Sequence, residues 1–227
     1  MYSTVYKSAD EINQAMGRVY GYMGLATLVS MLVSFGVGTS PELVNFFFTG
    51  IMHWVVIFAP LVAVFFLVPF IGANPPKGAA IAALMAFAAL MGLSFAVIFA
   101  VYTMLSIFNA FMGAAVLFGV MSFYGYFTKR DLSGIGDLLF VALIAIIIAS
   151  VINLFVGSTL AQMVISAIAI VIFLGFTAYD TQQIRGMVSE GDENTAVEVL
   201  GALNLYLDFI NIFLNLLQLF GVTNSDD

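Results

Sequence analysis

The chain has 227 residues, of which 63% are hydrophobic and 8% charged, and a mean hydropathy of +1.11; soluble domains carry about 25% charged residues, so this is the composition of a polytopic membrane protein. A net charge of −7 argues against nucleic acid or an anionic-lipid anchor as partner. The absence of Cys excludes disulfides, thiolate metal sites and a Cys nucleophile, and a His-built metal site or Ser-His-Asp triad would have His53 alone to use.

In chain order, residues 1–19 form a polar segment without the short apolar core of a cleaved signal peptide, and are read as cytoplasmic. A spanning helix takes about 20 mostly apolar residues. The charge-free stretches place helices at Tyr20 to Gly38 and at Met52 to Ile71, the second ended by Asn74-Pro75-Pro76. Gly78 to Thr128 is long enough for two more, joined by a turn near Tyr102 to Ser106. Leu138 to Tyr179 holds another two, broken at Gly157-Ser158, and Leu200 to Phe220 makes the seventh. The expected fold is an all-α integral membrane protein, with a seven-helix transmembrane domain at 20–222 and a short acidic tail at 223–227.

Lys and Arg in short loops stay cytoplasmic. Lys7, Arg18, Lys77, Lys129, Arg130 and Arg185 all fall on one side of a seven-helix arrangement, and the opposite loops have none. That places the N-terminus in the cytoplasm and the C-terminus outside.

Small residues crowd the third helix (Ala80, Ala83, Ala88 and Gly92 among them), and Gly17 and Gly21 are spaced as a small-xxx-small pair; both patterns read as close helix packing. Trp54 and several tyrosines near span ends read as interfacial anchors, and His53 and Glu42 as exposed groups on the outer side. Asn109 and Asn153 either line a cavity or bond between helices.

The last helix carries the chemistry. Asn204, Asp208, Asn211, Asn215 and Gln218 recur at spacings of four, three, four and three, which stacks them on one face as a polar seam. An ionised Asp at bilayer depth costs roughly 2.5–3.5 kcal/mol on insertion scales, so the seam should face protein or water and is a candidate pathway. A second intramembrane carboxylate, Asp180, ends the sixth helix, where Thr177 shares its face. Asp180 precedes Arg185 by about 7 Å of helix, and Asp208 follows Glu198 by about 15 Å, so both lie in the inner half of the membrane. Two carboxylates close together in low dielectric titrate as one unit with a shared proton. Such a pair senses pH. Deprotonated, it is a ligand set for a hard cation such as calcium, which the seam amides can supplement.

Ala178-Tyr179-Asp180-Thr181-Gln182, Leu205-Tyr206-Leu207-Asp208-Phe209-Ile210-Asn211, and then Asn215-Leu216-Leu217 and Phe220-Gly221 resemble the Bax inhibitor-1 family, in particular its bacterial members. The resemblance implies a seven-helix fold with the last helix central, in a bacterial inner membrane. It also implies a pH-sensitive calcium leak in which Asp180 and Asp208 sense protons, with calcium as the ion carried and no resident cofactor. Some relatives carry an Arg at the cytoplasmic end of helix two that latches onto the helix-six Asp; here no cation stands between Val68 and Asn74.

Two other readings compete. Intramembrane aspartyl proteases also pair a Tyr-Asp with a second Asp, but the second lies in Gly-x-Gly-Asp, and Leu205-Tyr206-Leu207 here blocks the backbone approach that glycines allow. The other is a regulator that docks on a membrane protease or another membrane protein.

Overall fold

Helices take up nearly all of residues 7–190 and 195–224, which the computed structural model describes. Residues 1–6 of the polar N-terminal segment, the acidic stretch 191–194 and the tail residues 225–227 lie outside that description. In order the elements are α1 (Ala9–Gly38), α2 (Pro41–Phe48), α3 (Gly50–Gly72), α4 (Lys77–Phe95), α5 (Val97–Val101), α6 (Met104–Phe127), α7 (Ser133–Val156), α8 (Thr159–Ser189) and α9 (Thr195–Phe220). With α4 and α5 counted as one span, Lys77–Val101, seven stretches among the described residues are long and apolar enough to cross a membrane. The expected breaks at Tyr102 and at Gly157-Ser158 are present.

Two boundaries differ from expectation for identifiable reasons. The first helix starts at Ala9 rather than Tyr20, because Ser8 and Glu11 form a capping box: Glu11 N donates to Ser8 Oγ (3.3 Å) and Ser8 N donates to Glu11 Oε2 (2.7 Å). The connection Thr39 to Gly50 is not a plain loop but contains α2, which Ser40 caps and Pro41 opens. At the other end of the α7 span, Gly157 takes a left-handed φ of 68° and Asn153 clasps the turn, bonding Ser158 and Gln162. Asn153 therefore holds a connection together, whereas Asn109 is exposed.

The helices fall into two compact units. One contains α1 to α5 and α9 up to Tyr206; the other contains α6, α7, α8 up to Arg185 and the remainder of α9. In the first unit α1 packs along α4 at Gly92, where an added Cβ would stand 2.5 Å from the carbonyl oxygen of Ser30. Gly17 and Gly21, spaced as a packing pair, meet nothing within 4 Å, so only part of the small-residue signal marks close approach.

Two polar ties join α1 to α9 in this unit. Arg18 donates from Nε and Nη2 to the Glu198 carboxylate (2.6–3.0 Å). The Ser30 hydroxyl lies 2.7 Å from the Tyr206 hydroxyl and 2.7 Å from the Ala88 carbonyl oxygen. The ties come in the same order along both helices, so α1 and α9 run in the same direction, as the first and last of an odd number of spans must.

Lipid-facing and interior stretches separate clearly. Phe65 and Phe66 on α3 and Leu154 and Phe155 on α7 are 70–88% exposed, which only a hydrocarbon solvent makes favourable. By contrast 67% of the spanning window of α9 is buried, against 33% or less in every other span.

Candidate functional site

In the second unit α8 is pinned over one run of residues. Ala178 lies against Gly125 of α6, where any Cβ would collide with its backbone; the Tyr179 ring covers Gly136 of α7 in the same way. Thr181 Oγ1 meets Ser122 Oγ at 3.1 Å. Gln182 clamps the α6–α7 connection, accepting from Leu132 N and donating to the Arg130 carbonyl, both at 2.8 Å. Arg185 donates to the Tyr126 carbonyl (2.6 Å) and lies over that ring, 4.7 Å from its centre. Ala178, Tyr179, Thr181, Gln182 and Arg185 thus each have a partner in α6, α7 or their link. Asp180 itself, half-buried, has no hydrogen bond among the described residues.

The matching stretch of α9 is oriented by aromatic contacts. Phe209 meets Phe111 and Phe118 edge-on at 5.3 and 5.9 Å, Phe213 meets Phe111 at 6.2 Å, and Leu216 fills the space over Gly113. Asp208 is 5% exposed, and its Oδ2 is wholly buried with no hydrogen-bond partner. Both carboxylates stand in the second unit, Asp180 on α8 and Asp208 on α9.

The seam residues behave differently from one another. On a helix that is otherwise mostly buried, Asn204 and Gln218 are exposed and Asn211 and Asn215 half-buried, so the polar face is the open one. Asn211 Nδ2 donates to the Leu207 carbonyl and Asn215 Nδ2 to the Asn211 carbonyl, each at 2.8 Å. A carbonyl can only accept, so it is the amide nitrogens that face the helix, and no described residue donates to either Oδ1. Gln218 Oε1 accepts from Ser166 Oγ at 2.8 Å. Thr177 is fully buried and its hydroxyl donates to Phe173 O of its own helix (2.8 Å). Among the described residues no three of His, Cys, Asp and Glu gather as a metal site. An ion held here would meet the Asp pair, amide oxygens and water.

A sequence profile described as inhibitor of apoptosis-promoting Bax1 matches residues 12–225. The chain belongs to the Bax inhibitor-1 family. It is 37% identical over 211 residues to the inner membrane protein YbhL of Escherichia coli K12, covering 91% of this chain and 90% of that one. It is 35% identical to protein RP147 of Rickettsia prowazekii (95% and 92% covered) and 36% identical to a Deinococcus radiodurans protein (99% and 96%).

Sequence reasoning passed over several buried polar groups of this family member: the Arg18–Glu198 ion pair, the Ser30–Tyr206 bond and the Thr181–Ser122 bond. Each joins residues too far apart in the chain for periodicity to link them. The capping box at Ser8 and Glu11 was passed over too, although its Ser-x-x-Glu spacing is a local signal that could have revealed it.

Proposed function

We propose that this Bax inhibitor-1 family protein is a pH-sensitive cation leak, carrying calcium down its gradient, with Asp180 and Asp208 as sensor and gate. What supports the reading is the two carboxylates of one unit: Asp208 is wholly buried at Oδ2 without a hydrogen-bond partner, and Asp180 is half-buried without one among the described residues. Such groups titrate as a unit, and protons and a divalent cation compete for the same oxygens. The free Oδ1 atoms of Asn211 and Asn215 extend the acceptor path along α9 without adding charge; Asn204 and Gln218 continue it at either end, and Thr177 flanks it from α8. Calcium takes six to eight oxygens, so water completes its shell.

A conduit suits these groups better than a protease. Leu205 and Tyr206 are fully buried where an aspartyl protease needs the bare backbone of glycine, so a peptide has no route to Asp208 from that side. The alternation of basic residues supports an N-terminus in the cytoplasm, and the likeness to YbhL supports the inner membrane of a bacterium. The test is calcium flux into liposomes across about pH 5 to 8, a span that runs upward from the ordinary carboxylate range. Flux that responds to pH in the wild type and not in Asp180→Asn or Asp208→Asn supports the proposal; no flux at any pH refutes it.

A further inference from the structure

The element left without a role is α2. Its eight residues extend about 12 Å, far short of a bilayer. It has its own start in Ser40, whose hydroxyl accepts from Leu43 N, and in Pro41, so it is a built helix rather than a fragment of its neighbours. Helical spacing sets Glu42, Asn45 and, one turn after Glu42, Phe46 on one side and Leu43, Val44 and Phe47 on the other, with Phe48 at the border. None of these side chains is buried. The apolar face leans on α1 and α3 yet leaves Leu43 41% exposed, and Phe46, on the flank between Leu43 and Glu42, is 61% exposed.

The exposed apolar surface does not stop at the end of α2. Ile51, Trp54, Val55 and Phe58 at the start of α3 are 50–82% exposed and lead into the lipid-facing side of that helix. The rings form a row, with Phe48 against His53 (6.3 Å), His53 against Trp54 (5.4 Å) and Trp54 stacked on Phe58 (6.0 Å). Only Thr39 and Ser40 separate α2 from α1, and only Thr49 separates it from α3, the turn being completed by Gly50 at φ 60°. Tethers that short, each ending in a spanning helix, hold α2 at the membrane surface.

We propose that α2 is an in-plane helix, seated in the headgroup–acyl boundary of the leaflet that meets the α1–α3 connection. The apolar side at Leu43 enters the acyl region while the opposite side at Asn45 faces water. The partner is lipid. Glu42 is the only charge between Arg18 and Lys77, so apolar burial rather than attraction to anionic headgroups holds the helix down.

The chain has no cysteine and one tryptophan, which makes the test direct. Leu43→Cys and Asn45→Cys, made separately in the full chain, are labelled with an environment-sensitive dye and placed in liposomes of zwitterionic lipid with acyl-chain nitroxides. Quenching of Trp54 by the same lipids certifies that each variant is folded and inserted. The label at 43 should be quenched by the nitroxide, and be roughly five-fold less accessible to iodide than the label at 45, for an apolar face sunk about 5–10 Å into the boundary. Equal iodide access at both positions would mean a helix standing in water and overturn the proposal. Shielding at 43 without nitroxide quenching, accompanied by crosslinks between copies, would overturn it in favour of a second chain as occupant.

Discussion

Asp208 of α9 and Asp180 of α8 belong to the same compact unit, and neither carboxyl receives a hydrogen bond from any described residue. Residues that act as one titrating unit are non-additive when replaced. Asp180→Asn and Asp208→Asn should each flatten the pH dependence of calcium flux, and the double variant should do no more than either alone. A double variant whose loss is the sum of two partial losses would mean two independent carboxyls.

Asp131 supplies the control. It lies between α6 and α7, and its carboxyl accepts from Ser133 N (2.9 Å) and Oγ (2.7 Å), which holds it below the usual carboxylate range. A depressed folded-state pKa contributes stability at neutral pH that is lost only as pH falls through the depressed value, and full exposure keeps the contribution small. Asp131→Asn should leave the flux profile above about pH 5 unchanged, since the side chain is already ionised there.

The Ser30–Tyr206 bond anchors the middle of α9 to α1. Tyr206→Phe and Ser30→Ala should each lower stability by about 0.6–2 kcal/mol, the range of interhelical hydrogen bonds in membranes. Ser30→Ala should cost more, because it strips a partner from the buried Tyr206 hydroxyl and from the Ala88 carbonyl together. Thermal unfolding in detergent of the two variants and their combination measures this, with the double variant expected to fall short of the sum.

At Gly92 and Gly125 a methyl group would meet the backbone of Ser30 or Ala178. Gly92→Ala and Gly125→Ala should destabilise by about 1–3 kcal/mol or more, as overpacking does, because backbone cannot swing aside. Gly21→Ala, into open space within a helix, should be neutral or stabilising by about 0.4–1 kcal/mol. Unfolding midpoints for the three variants would separate tight packing from mere richness in small residues.

Arg18 is the sole ion-pair partner given to the 4% exposed Glu198 among the described residues. Arg18→Ala should therefore destabilise by about 3–5 kcal/mol, most of it from the carboxylate left behind. Glu198→Gln should cost clearly less, since the half-exposed Arg18 can return to water. Equal costs in an unfolding measurement would show that the pair matters for its packing and not for its charge.

Composition and charge-free length were enough to set the class, the seven spans and their breaks, because a bilayer demands about 20 apolar residues per crossing and tolerates few exceptions. The two aspartates were equally plain, since an ionisable residue at that depth stands out against its surroundings. The seam on α9 was legible as a face, through periodicity alone. Which way that face looks was not, nor that Asp208 is closed off while Asn204 and Gln218 stay open, nor that the amides of Asn211 and Asn215 turn their nitrogens inward. Those depend on which side chains from distant parts of the chain arrive beside them, and no local pattern records the arrival. The same holds for Arg18 with Glu198 and Ser30 with Tyr206, separated by 180 and 176 residues and brought together only when α9 packs along α1.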